Sequence, residues 1–260
     1  SVRVEDRPVG DIRFQADWSE ETGSVALNGE LTRGPLKALD FIGRMEPKNN
    51  NKLDLDLVFD HFDLTFIDPY LPGGISDIQG LVTGTVDVSG SLYQPLVNGV
   101  VDLQDAGLRI DYLNTLYRFS NKVKIAPDMF ALDLVTVRDE MGNTGKIGGT
   151  ILHNGLREWN FNVWGDLAGL MVLNTTEQDN ALYYGKAFAN GEVEVSGSVD
   201  ALEITVDAST GPGTDIHLPV GGSPEVPDVG FAKFGSGDYT EAEEPGVDLS
   251  GITLDINYHH

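Results

Sequence analysis

The stretch "KLDLDLVFDHFD", residues 52–63, decides what kind of sheet this chain builds. Successive side chains of an extended strand point to opposite faces, so Leu53, Leu55, Leu57 and Phe59 fall on one side and Asp54 and Asp56 on the other. A strand written this way has one dry face and one wet face. Within "FDHFD" the apolar parity passes from odd to even positions, as one extra residue in a β-bulge would cause.

The same alternation continues in both directions. "TVDVSG" sets Val86 and Val88 around Asp87, and "EVEVSG" sets Val193 and Val195 around Glu194. "REWNFNVWG" groups Phe161 and Val163 with Trp159, "LEITVDA" pairs Ile204 with Val206, and Val101 with Leu103 and Leu132 with Leu134 alternate likewise. A unit reading Gly-x-Val-x-apolar-polar-Gly-x-apolar begins at Gly23, Gly84 and Gly191, unevenly spaced, so the strand and turn recur without a strict solenoid period. Its inner glycine (Gly29, Gly90, Gly197) suits a sharp turn or bulge at the start of the next strand.

Helical patterns are few. "DLTFIDPYLPGG" predicts a turn of helix stopped by Pro69 and Pro72. In "LMVLNTTEQDNALYYGKAFANGEVEVSG", residues 170–197, Thr175 with Gln178 or Thr176 with Asp179 opens a capping box and Gly185 supplies a stop. A helix of about two turns is expected there, roughly 176–184, with Leu182 and one tyrosine inward. Thirty-one glycines among 260 residues, about 12% against an average near 7%, agree with many turns and many strands.

Charge and composition exclude several classes. A net charge of −24 disfavours nucleic acid and docking by charge onto anionic headgroups, so any lipid contact must use apolar surface. There is no cysteine, hence no disulfide framework and no thiol catalysis. No apolar run is long enough to span a bilayer as a helix. His61 and His217 stand alone among strand residues and read as surface or packed histidines. No metal-ligand spacing, nucleophile elbow or phosphate-cradling loop occurs, and no cofactor is expected. Asp54 with Asp56, and Glu192 with Glu194, stand about 7 Å apart on one strand face, but on the wet side, where water holds a carboxylate near its ordinary pKa. "RDEMGNTG" and "DYTEAEE" offer oxygen ligands for calcium without the order of a dedicated loop. Glu177, Asp179 and Lys186 are the best catalytic candidates, and an enzyme is not the expected reading.

What remains is an apolar face that some structure must cover. A closed sandwich would fill it with its own residues. A curled open trough would leave it for an apolar occupant.

The run "FDLTFIDPYLPGGISDIQGLVTGTVDVSGSLYQPLVNGVVDLQDAGLRIDYLNTLY" resembles the C-terminal region of the TamB family, in the AsmA-like superfamily, through its glycine order and the Pro95 hairpin. "DEMGNTGKIGGTILHNGLREWNFNVWGDLAGLMVLNTTEQDNALYYGKAFANGEVEVSGSV" continues the likeness, and "LNTTEQDNALYYG" is similar to Bacteroidetes-type members. The resemblance spans roughly 35–220. It implies an all-β, elongated, U-shaped, mostly antiparallel sheet (a β-taco) with an apolar inner groove and one or two short helices. It also implies a periplasmic location in a longer protein tethered to the inner membrane, and transfer of phospholipid between the inner and outer membranes. An Omp85-type, TamA-like outer-membrane partner and a part in outer-membrane protein assembly are the alternative it carries.

On that reading the groove is lined for acyl chains by Leu53, Leu55, Leu57, Val86, Val88, Val101, Leu103, Leu132, Leu134, Phe161, Val163, Val193, Val195, Ile204 and Val206. The expected organisation is a β-taco segment over 1–220, a Gly/Pro/acidic linker over 221–246, a last strand over 247–258 lacking its natural partners, and His259–His260 as a tag remnant. The chain reads as a fragment of something longer.

Overall fold

The structure, a computed structural model, describes residues 2–4, 7–155, 157–180, 183–217 and 252–258. The linker expected over 221–246, Leu182 and the terminal histidine pair lie outside the described residues. Fifteen strands form one sheet: β1 (Val2–Val4), β2 (Arg7–Ser19), β3 (Ser24–Arg33), β4 (Leu36–Glu46), β5 (Lys52–Asp63), β6 (Ile75–Ser91), β7 (Gln94–Ile110), β8 (Thr115–Ala126), β9 (Met129–Arg138), β10 (Thr144–Leu152), β11 (Asn160–Thr175), β12 (Tyr184–Ser198), β13 (Ala201–Thr210), β14 (Asp215–His217) and β15 (Ile252–Tyr258). From β1 to β13 each strand pairs antiparallel with its sequence neighbours. The path never returns on itself, so the sheet is open. β14 adds to β12 beyond the end of β13.

The last strand pairs within this chain. β15 has a partner in this chain, β13, which it meets in parallel with Leu202 opposite Ile252 and Ile204 opposite Leu254.

The bulge expected in "FDHFD" is present. Pairing of β5 with β6 shifts between Phe59 and Phe62, and His61 takes a left-handed φ of 53°. A second shift, in β9, was missed. Leu132 pairs with Gly149 and Val135 with Ile147, so β9 carries one residue more than β10 between them. Val135 and Val137 take the inward places, and Leu134 turns out to solvent at 55% exposure.

Among the described residues two short 3-10 segments interrupt the strands. The first, Leu64–Tyr70, starts at Asp63, whose Oδ1 accepts from the Thr65 amide at 3.0 Å and the Thr65 hydroxyl at 2.7 Å. Burial raises the Asp63 pKa, but the Thr65 bonds and the Arg33 guanidinium outweigh it and hold the carboxyl below its usual range. The segment runs through Pro69 and ends before Pro72. The second, Asp111–Leu113, closes on Asn114 in the left-handed region.

Of the helix expected over 176–184, the described residues form a single turn. Asp179 Oδ2 accepts from the Thr176 amide and hydroxyl at 2.7 and 2.8 Å, and the Asp179 amide donates back to Thr176 O at 3.0 Å. Strand geometry resumes at Tyr184. The cap formed, between the end of β11 at Thr175 and the start of β12 at Tyr184.

The repeat is a real unit in two of its three copies. Gly90 and Gly197, with φ of 85° and 102°, sit next to the two-residue turns of the β6–β7 and β12–β13 hairpins. Gly29 instead stands in the middle of β3, where a Cβ would lie 2.4 Å from the Phe41 ring.

Close approach of strands explains a different glycine. At Gly149 (φ +136°) a Cβ would fall 2.2 Å from Asn162 O and 2.8 Å from Val163 Cα, both backbone atoms. Gly149→Val is therefore expected to destabilise the sheet by about 3 kcal/mol or more in chemical denaturation. Gly73→Ala, which meets nothing within 4 Å, should stay within about 0.5 kcal/mol of the parent.

Candidate functional site

Register turns the alternation of single strands into continuous rows. One row reads Ile12, Leu31, Leu39, Phe59, Gly84, Val101, Val123, Leu132, Gly149, Val163, Val195, Ile204 and Leu254, directly opposite one another from β2 to β15. A parallel row reads Phe14, Gly29, Phe41, Leu57, Val86, Gly99, Ile125, Phe130, Ile151 and Phe161. Every position is apolar or glycine. A row on the other face reads Gln15, Asn28, Ile42, Asp56, Asp87 and Asn98.

The predicted lining residues fall on this inner face, Leu134 excepted. Leu53, Val86, Val101 and Ile204 are buried. Leu55, Leu57, Val88, Leu103, Leu132, Phe161, Val163, Val193, Val195 and Val206 are half-buried. Sequence reading also missed the part of the face that lies most open. Phe14 is 67% exposed and Trp18 49% on β2, although alternation in "DIRFQADWS" marks both.

The two sides of the groove differ. Along one side the chain covers its own apolar surface. Leu64 and Phe66 of the first 3-10 segment pack with Phe62 and Val82, and the Phe62 and Phe66 rings meet edge to face at 5.4 Å. Farther on, β9 and β10 are short, and β8 meets β11 beyond their turn. The Tyr117 hydroxyl donates to Met171 O at 2.8 Å, and the Met171 amide donates to Asp139 Oδ2 at 2.8 Å. Two side chains thus replace a neighbouring strand for the Met171 backbone. Burial pushes the Tyr117 phenol far above its usual pKa, so it stays a donor. Val135, Val137, Leu167, Leu170 and Ala189 fill the space beneath. The other side ends in short turns, and there the rows carrying Leu55, Val88 and Phe161 stay half-open. His153 lies near that side, buried beside the Phe130 and Trp159 rings, and burial lowers its pKa against the opposing charge of Asp128.

Polar candidates take structural places. Both oxygens of Asp139 in "RDEMGNTG" accept backbone amides: Oδ1 from Met141 and Asn143, each at 2.9 Å, and Oδ2 from Met171. That carboxylate closes a turn, and "DYTEAEE" lies outside the described residues. Glu177 and Asp179 are exposed in the turn, and Lys186 is exposed on the outer face of β12, so these three form no cleft. Asp54, Asp56, Glu192 and Glu194 are all exposed, and Asp54 pairs with Arg44 at 2.9 Å. His61 and His217 are exposed beside Asp60 and Asp215.

The face available for work is therefore a greasy one on an open, curled sheet. That defines an open, nearly all-β protein with one continuous apolar face. Residues 133–257, just under half the chain, match the family model of the TamB C-terminal domain. The match reaches into the last strand, past the 220 limit of the resemblance read from sequence, and does not include 35–132. No curated protein and no solved structure matches the chain.

Proposed function

We propose that this chain is a periplasmic segment of a TamB-like envelope protein whose groove shields acyl chains while phospholipid passes between the inner and outer membranes. The observation that carries the reading is the run of unbroken apolar rows from β2 to β13, backed by a mixed face that carries most of the charge, and half-open along one side. A phospholipid tail of about 15 methylenes costs on the order of 0.8 kcal/mol per methylene in water. A trough that covers the tail and leaves the headgroup in solvent removes most of that barrier without chemistry. The full-length protein would be tethered in the inner membrane. The similarity of 133–257 to the TamB C-terminal domain supports the setting.

Native mass spectrometry of the chain purified from lipid-containing extract tests this reading. Co-purifying phospholipid, displaced by competing fatty acid, is the expected result. A chain that stays lipid-free when mixed with phospholipid sinks it.

One observation favours a second reading. β1 and β15 end the sheet, each paired on one side only among the described residues. Such edges can take a further strand, as a docking module for outer-membrane protein assembly with an Omp85-type, TamA-like partner would need. Capture of that partner by variants whose groove has been made polar would favour it.

A further inference from the structure

The β6–β7 hairpin ends in the two-residue turn Leu92–Tyr93, and these side chains are 56% and 77% exposed. Neither residue takes a positive φ, so the turn accepts most residue types and does not itself select Leu or Tyr. The chain contains its own control. The β12–β13 hairpin is the same unit, with "VSGSLYQPL" at 88–96 answered by "VSGSVDALE" at 195–203. Gly90 faces Pro95 as Gly197 faces Leu202, and Ser91 faces Gln94 as Ser198 faces Ala201. The Leu92 amide donates to Asn51 O at 3.1 Å, and the Val199 amide likewise donates to Trp159 O at 3.3 Å. On this shared backbone Tyr93 corresponds to Asp200, and Leu96, 45% exposed, to Glu203. The turn therefore keeps an apolar residue at its first position, Leu92 or Val199, but does not require one at its second.

The adjoining turn differs in charge from the rest of the molecule. Residues 47–52 read "PKNNNK", two lysines and no carboxylate, in a chain of net charge −24. Lys48 and Lys52 are exposed, and Lys52 stands opposite Ser91, beside the tip. Glu46 stands across the strands from Lys52 and accepts from the Asn49 side chain at 2.8 Å. Asn49, Asn50, Lys52, Ser91 and Gln94 border a shallow depression between the two turns. Farther along the same rim, the β2–β3 turn carries Glu20 and Glu21, which bound the positive zone.

We propose that this double tip docks the protein on a bilayer surface, with Leu92 and Tyr93 entering the headgroup boundary and Lys48 and Lys52 meeting lipid phosphates. Tyrosine prefers that depth because its ring is apolar and its hydroxyl wet, and basic residues are drawn to anionic headgroups. Local charge thus answers what the net charge forbids. The tip lies on the half-open side of the groove, but docking does not depend on whether the groove carries acyl chains.

Flotation of the whole chain with mixed phosphatidylethanolamine and phosphatidylglycerol vesicles tests the proposal. The parent should float, less so as salt rises. The double variant Leu92→Val/Tyr93→Asp, which copies the other hairpin and so keeps the turn, should lose roughly tenfold in bound fraction. Lys48→Glu with Lys52→Glu should remove the salt-sensitive part. A Tyr93→Trp variant lacking the other tryptophans should shift its emission to the blue on vesicles. Equal flotation of parent and tip variants, failure of the parent to float, or tip-dependent self-association without vesicles would each overturn docking.

Discussion

Arginine at Val195 will cut phospholipid uptake about a hundredfold while leaving the sheet folded. Val195 is half-buried on the inner face between Val163 and Ile204 and belongs to neither packed cluster, so its neighbours can admit a longer side chain. In the empty groove the guanidinium can reach water along its own stem, and the loss of stability should be about 1 kcal/mol. With acyl chains seated, the same charge faces hydrocarbon, at a cost of about 3 kcal/mol on insertion scales. Each 1.4 kcal/mol is tenfold, which gives the hundredfold. Arginine at Val88 should act alike with a larger loss of stability, because Val88 packs against the first cluster. Glu194→Arg, one residue away on the outer face, is the control and should leave uptake unchanged. Lipid counted by native mass spectrometry, with thermal unfolding alongside, reads both quantities. Parent-like uptake by folded Val195→Arg protein would refute the acyl-chain reading.

Asp139→Ala will be the most destabilising single change among the polar residues discussed. It removes the acceptor of three backbone amides and of the Asn143 side-chain amide, and it leaves the Met171 N–H buried with nothing to bond. An orphaned buried donor costs about 1–3 kcal/mol and bonds to a charged acceptor are worth about 1.5–3 kcal/mol each, so a total near 4 kcal/mol is expected after partial repair by water. Asp139→Asn keeps one acceptor and the shape, and should lose about half as much. Urea denaturation measures the totals. Hydrogen exchange should place the loosening in β9, β10 and the second half of β11, and a change of less than about 1 kcal/mol for the alanine variant would contradict the role given to this carboxylate.

Much of the architecture was legible because period two is a local signal. "KLDLDLVF" and "TVDVSG" state their inner faces without help from the rest of the chain, and the strands follow. Parity changes were legible only where the sequence marks them. The bulge at His61 shows itself as a break between Phe59 and Phe62. The bulge in β9 hides inside "ALDLVTV", where apolar residues stand on both parities, and so Leu134 was placed with Leu132 although Val135 takes the inward position. The helix expected after Thr175 shows the converse. A capping box is a sufficient signal for a turn, whereas the length of a helix is decided by strand pairing that begins again at Gly185. Nor could spacing reveal that Tyr117 and Asp139 would meet Met171, since that contact exists only because β9 and β10 are shorter than the strands flanking them.

One feature of the topology bears on how the chain is made. From β1 to β13 each strand finds its pairing partner in the strand just before it, so no segment must wait for a distant one. Assembly can proceed as a zipper, each new hairpin templated on the edge left by the last, and such sequence-local order favours rapid closure of each successive loop. Two later strands depart from this order: β14 skips β13 to pair with β12, and β15 joins β13 in parallel across 41 intervening residues, which should be the last step to complete.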